Sequence, residues 1–165
     1  MTSAAKVNVT TPSDREIVMT RLFDAPLDLV YDCYTKVELL KRWMVPDGWT
    51  FVACDNDLTI GGAFHWQWRN PHGQDLGIHG VYREIVPLQR IVRTEIFDLD
   101  PTQSESLGTL LLSEQHDLTT LKITVLYHSR EARDHALKAG AEKGVANAKL
   151  DALLAELKRT RSSAA

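Results

Sequence analysis

Three histidines lie close together in the middle of the chain, His65, His72 and His79, and imidazoles near one another invite a metal or a proton relay. Neither chemistry finds its usual companions. There is no HExxH and no carboxylate triad beside them, so no metal site is expected. His72 falls in a turn, and His65 can face His79 only if the hairpin connection between them has an odd number of residues. His79, with Glu114 or Tyr127 near a cavity rim, could move a proton in an acid–base reaction. A lone histidine on an apolar face is more simply a hydrogen-bonded core residue. No nucleophile–base pair recurs at fixed spacing and no GxxxxGK phosphate loop is present, so no catalytic residues and no cofactor are assigned. Cys33 and Cys54 lack CxxC spacing and read as two buried reduced thiols.

What must position these residues is an ordinary globular chain. With 165 residues, 44% hydrophobic and 25% charged, one domain can build a sizeable core. A net charge of −3 without a dense basic stripe disfavours nucleic acid. Apolar runs are too short to span a membrane, and Met1–Ser13 has no apolar signal core, so a cytoplasmic protein is expected. Residues 1–13 read as a flexible tail, 14–159 as the domain and 160–165 as a second flexible tail.

Arg15–Phe23 alternates as a strand, and Asp24-Ala25-Pro26 opens a helix whose Leu27, Val30, Tyr31 and Tyr34 share one face. A second short helix runs Val37–Trp43 to the break at Pro46-Asp47-Gly48. From Trp49 the period changes to two, predicting strands at 49–56, 61–69, 75–86, 90–98, 107–115 and 118–127, with Gly61-Gly62 as a bend. Ser129 N-caps a last helix predicted to reach Lys158. The order predicts an α+β domain: a seven-stranded curved antiparallel sheet wrapped around one long C-terminal helix.

A two-residue turn at Pro87-Leu88 places Val81 opposite Thr94 and His79 opposite Ile96. An even-length turn around Pro71-His72 adds Phe64, Trp66 and Trp68 to that face, and the next hairpin adds Leu112 and Leu110. Tyr82, Glu84, Arg93 and Glu95 then belong to the solvent face. Register decides all of this, because a one-residue slip exchanges the faces. The inner face with Trp43 holds more aromatic bulk than seating a helix needs. Gly140 and Gly144, in mid-helix, either leave room for a ligand or let the helix pack close. The expected cavity is lined by Trp43, Phe64, Trp66, Trp68, His79, Val81, Thr94, Ile96, Leu112, Tyr127, Gly140 and Gly144.

Several segments taken in order resemble a known family: "RLFDAPLDLVYDCYT…RW", "GGAFHWQWRNPHG", "HGVYREIVPLQRIVRTEIFD" and "LSEQHDLTTLKITVLYHSREARD…AG" before a Leu-rich helix. Over roughly residues 14–157 they are similar to the SRPBCC (START/Bet v-like) superfamily. Within it they look like the single-domain bacterial branch of the activator of heat-shock-protein-90 ATPase homologues. The resemblance implies a helix-grip fold with an internal cavity for a small apolar molecule, and it carries over no catalytic set. It leaves two other functions open, an acid–base enzyme of the polyketide cyclase type and a chaperone-interacting module of the stress response. A homodimer or a chaperone are the other partners it leaves open. Two departures stand out. Ala141 occupies a position where the branch often has methionine, and Thr59 one where arginine is common.

Overall fold

The computed structural model describes residues 6–164. Alternation in the sequence becomes an eight-stranded antiparallel sheet with spatial order β1-β2-β8-β7-β6-β5-β4-β3. The strands are β1 (Asn8–Thr10), β2 (Glu16–Phe23), β3 (Thr50–Asn56), β4 (Ala63–Arg69), β5 (Asp75–Val86), β6 (Arg90–Phe97), β7 (Ser106–Gln115) and β8 (Leu118–Leu126). Between β2 and β3 lie α1 (Leu27–Thr35) and α2 (Val37–Trp43). Pro26, with φ −63°, stands at the start of α1, where its missing N–H costs no hydrogen bond. α1 packs on β7 and β8 and α2 on β3, so the concave face of the curved sheet is the buried one. The core there is Phe23, Val30, Leu40, Phe64, Trp66, Tyr82, Ile91, Leu110, Leu121 and Leu150.

The seven expected strands become eight because Asn8–Thr10, assigned to a flexible tail, pairs with Val18–Thr20. The rest of that tail, residues 1–5, lies outside the described residues. The C-terminal tail is corrected as well: residues 160–164 continue α4, and Ala165 lies outside the description.

The single long C-terminal helix is also corrected. α3 (Arg130–Lys138) begins where expected, with the Ser129 hydroxyl accepting from the Ala132 N–H at 3.1 Å. It then stops at Gly140, whose φ of 78° and ψ of 52° lie in the left-handed region. Glycine adopts that conformation without penalty and is the usual residue just past a helix end. A 3-10 turn, Ala141–Gly144, follows. Asn147 restarts the chain as a helix, its Oδ1 accepting from the Lys149 N–H at 2.8 Å and the Leu150 N–H at 3.3 Å. α4 (Ala148–Ala164) then packs on α1 and α2 while α3 leans on β2. Gly140 is thus a helix terminator. Gly144 sits on the exposed turn with no atom within 4 Å of where a Cβ would stand, so neither glycine serves close helix–sheet packing.

One buried ion pair fastens this arm to the sheet. Arg21 on β2 donates to the Val145 carbonyl at 3.0 Å and to the Asp151 carboxylate at 2.7 Å, with its guanidinium 3.7 Å over the Phe23 ring.

Candidate ligand-binding site

The register of the β4–β5 hairpin decides which side chains face the helices. Arg69 pairs with Asp75, leaving the odd-length connection 70–74. Gly73 takes φ 80°, and the Asn70 carboxamide accepts from the N–H groups of His72 and Gln74, each at 2.9 Å. That connection sets Trp66 opposite Ile78 and Phe64 opposite Gly80. The concave face therefore carries Phe64, Trp66 and Trp68 with Ile78 and Tyr82, not with His79 and Val81.

His79, Val81, Thr94 and Ile96 do form the expected set: His79 pairs with Ile96, and the Thr94 hydroxyl accepts from the Val81 N–H at 2.9 Å. The set lies on the convex face, so these four do not line the interior. Near the turn a bulge between Tyr82 and Glu84 shifts the ladder, so Val86 pairs with Arg90. Tyr82, Arg93 and Glu95, assigned to solvent by the even-turn register, are the inward residues instead. Gly62 shares this corner: it accepts from the Tyr82 N–H, and a Cβ on it would stand 2.3 Å from the Asp57 carbonyl.

The interior is consequently aromatic and polar at once. Ring centroids lie 4.7 Å apart for Phe64–Trp66, 5.5 Å for Phe64–Tyr82 and 5.4 Å for Phe51–Trp68. The Arg93 guanidinium stands 5.2 Å from the Phe64 centroid and 5.0 Å from that of Trp66. Its Nε donates to Glu95 at 3.3 Å, and the absent side chain of Gly108 leaves room for that carboxylate. Burial raises the Tyr82 hydroxyl pKa, with Arg93 pulling it back and the Asn56 carboxamide accepting its hydrogen bond. Tyr34, edge-on to Trp43 with ring centroids 5.0 Å apart, is raised further by burial, opposed by Arg21 and Arg93. Three buried donors, Tyr34 Oη, Trp66 Nε1 and Trp68 Nε1, have no hydrogen-bond partner among the described residues.

The remaining expected residues separate. Trp43 is core, donating through Nε1 to the Cys33 carbonyl at 2.8 Å, and Leu112 pairs with Leu121 beneath α1. Tyr127 packs with Ile17, Met19 and Val145, and burial with the nearby Glu95 charge pushes its hydroxyl up to about 12. Glu114 is exposed opposite Thr119, eight strand positions from Tyr127, or roughly 26 Å at strand rise. His79, Glu114 and Tyr127 therefore do not converge as an acid–base set. Cys33 is buried, its thiol pushed up to about 12 by burial; Cys54 is half-buried, and both are free.

On the convex face, sequence reasoning missed one residue. His65 and His79 are direct cross-strand partners, and Asp98 from the end of β6 bridges them, with His65 Nε2 at 3.0 Å and His79 Nδ1 at 2.6 Å. Burial raises the Asp98 pKa, but the two imidazoles outweigh that and hold it below the usual carboxylate value. Among the described residues no group of three or more His, Cys, Asp or Glu is arranged to hold a metal ion. Two open grooves mark the surface, one of about 740 Å3 between Asp24 and α4 and one of about 350 Å3 along β3 beside Lys41. Neither is lined by Phe64, Trp66 or Trp68.

A curved antiparallel sheet closed over short helices and a C-terminal helical arm, with an aromatic concave face, defines the helix-grip class. The family model described as "Activator of Hsp90 ATPase homolog 1-like protein" matches residues 24–158, and the chain belongs to that family. A Rhodobacter sphaeroides protein of known crystal structure superposes with a TM-score of 0.83 at 27% identity, covering 92% of this chain and 99% of its own. A Staphylococcus epidermidis protein gives 0.78 at 24% identity (90% and 94% covered). CalU16 from Micromonospora echinospora gives 0.62 at 21% identity (95% and 88% covered), and these last two speak to the fold alone. No curated protein matches the sequence. Among the described residues no helix is long and apolar enough to cross a membrane.

Proposed function

We propose that this chain binds a small, largely apolar molecule between the concave face of β4–β6 and the broken helical arm. The observation that carries the reading is the cluster Phe64, Trp66, Trp68, Ile78 and Tyr82 on that face. The helices pack chiefly on β2, β3, β7 and β8, so this cluster meets side chains more than helix backbone. Rings tilted against rings can part for a flat guest more readily than a helix backbone can withdraw. The arm supplies the opposite wall, broken between α3 and α4 at the 3-10 turn. Titration with N-phenyl-1-naphthylamine should give saturable dye enhancement together with quenched tryptophan emission. Trp66→Phe combined with Trp68→Phe should reduce the quenching amplitude sharply. Saturable quenching of undiminished amplitude in the double variant places the guest elsewhere and refutes the reading.

An acid–base reaction is the second reading, and Glu95 favours it. This carboxylate is 14% exposed on the concave face, beside Arg93 and near the Tyr127 hydroxyl. It would act on a bound guest without any of the three residues first expected to serve, apart from Tyr127. Turnover of an enolisable aromatic polyketone that disappears in Glu95→Gln would establish it. The family's description keeps a chaperone-binding role as a third reading, and co-elution with a purified heat-shock-protein-90 chaperone tests it.

A further inference from the structure

We infer that the guest carries a neutral acceptor oxygen, a ketone or hydroxyl on an otherwise apolar body, read by Trp66 Nε1 and Tyr34 Oη. The inference rests on the proposed binding function and concerns the same interior. Trp66 is 2% and Tyr34 6% exposed, and neither polar atom finds a partner. Buried donors are nearly always satisfied, so these two, with Trp68 Nε1 as a third in the same interior, are a feature to explain. An indole N–H can only donate, so whatever completes it must accept. Tyr34 and Trp66 belong to one buried cluster, together with Trp43, Phe64 and Tyr82.

The charges of this interior already balance. Arg21 is paired with Asp151 and Arg93 with Glu95, so no cation is left for a carboxylate or phosphate guest. An anion would have to displace Glu95 or stand beside it. What remains unmatched is a set of neutral donors, Trp66 Nε1, Tyr34 Oη and Trp68 Nε1, and the complementary group is a neutral oxygen. A hydrocarbon guest would leave all three donors as they are.

The test compares three probes of one shape, 2-acetylnaphthalene, 2-ethylnaphthalene and 2-naphthoate, by titration calorimetry on the full chain. One net hydrogen bond should make the ketone bind about 2- to 12-fold more tightly than the ethyl compound. In Trp66→Phe that ratio should fall toward one while 2-ethylnaphthalene keeps its affinity within about twofold, as expected for loss of a single hydrogen bond. Tyr34→Phe provides the same comparison if Trp66→Phe does not fold. Equal binding of ketone and ethyl probes to the wild-type chain overturns the inference and leaves the binding function standing. So does a ketone preference that persists in both variants, or tightest binding of 2-naphthoate. Absence of saturable binding by all three removes the binding function itself, and the inference with it.

Discussion

Replacing Arg21 by methionine removes a buried ionic contact that fastens the C-terminal arm to the sheet. The guanidinium is 3% exposed, donates to Val145 at 3.0 Å and Asp151 at 2.7 Å, and covers the Phe23 ring at 3.7 Å. Breaking a fully buried pair from one side costs about 3–5 kcal/mol, because the surviving charge stays desolvated. Asp151 is 33% exposed and can regain water, and methionine keeps the aliphatic contact with Phe23. Discounting for both leaves about 2–3 kcal/mol, much of it the orphaned Val145 carbonyl and the lost cation–π contact. In a chain of this length each kcal/mol moves the melting temperature by roughly 2–4 °C, so a fall of about 4–12 °C is expected. Urea melts should show a lower midpoint at unchanged slope. Asp151→Leu added to Arg21→Met should recover part of the loss, since no unpaired carboxylate remains. A single-variant loss below about 0.5 kcal/mol, the range of ordinary surface changes, would refute the view that this pair holds the arm.

Three further outcomes follow from the same geometry. Asp98 is held below its ordinary pKa in the folded chain, so its contribution is present above the unfolded value near pH ~4 and is lost as pH falls through the folded one. Wild type and Asp98→Asn should therefore differ in urea midpoint at neutral pH and converge on acidification; a gap independent of pH contradicts the bridge. Gly140→Ala forces a side chain into the left-handed region and should cost about 1–2 kcal/mol by thermal melt. Gly144→Ala meets open space at ordinary φ and should raise stability by about 0.4–1 kcal/mol, with a loss there contradicting the exposed turn.

Element types were legible because each depends on local pattern: alternation from Trp49 onward, Pro26 before α1, Ser129 before α3. The faces of β4–β6 were not, because they depend on the parity of one connection. Proline at 71 suggests a tight even turn, yet Gly73 in the left-handed region and the Asn70 side chain close an odd-length one. That exchange sent His79 and Val81 outward and brought Arg93 and Glu95 in. The bulge at Tyr82–Glu84 added a second shift that no hydrophobic pattern records. The break in the C-terminal arm had a readable signal in Gly140 followed by Asn147, a helix stop and a helix start. The alanines around them continued the helical period and obscured it. Asp98 was missed because it reaches the histidines across strands, from the last position of the predicted strand 90–98.

The two margins of the sheet bear on how the chain behaves among copies of itself. An open row of unpaired backbone amides is a template for adding strands, the route by which sheets join end to end. One margin here is β1, three residues long and too short to offer a sustained ladder. The other is β3, whose pairing with β4 shifts between Phe51 and Ala53 and whose far end carries Asp55 and Asn56. A kinked backbone and a charge at one border and brevity at the other make each a poor partner for a neighbouring strand. The fold thereby keeps a broad β-sheet without presenting an extended border for aggregation.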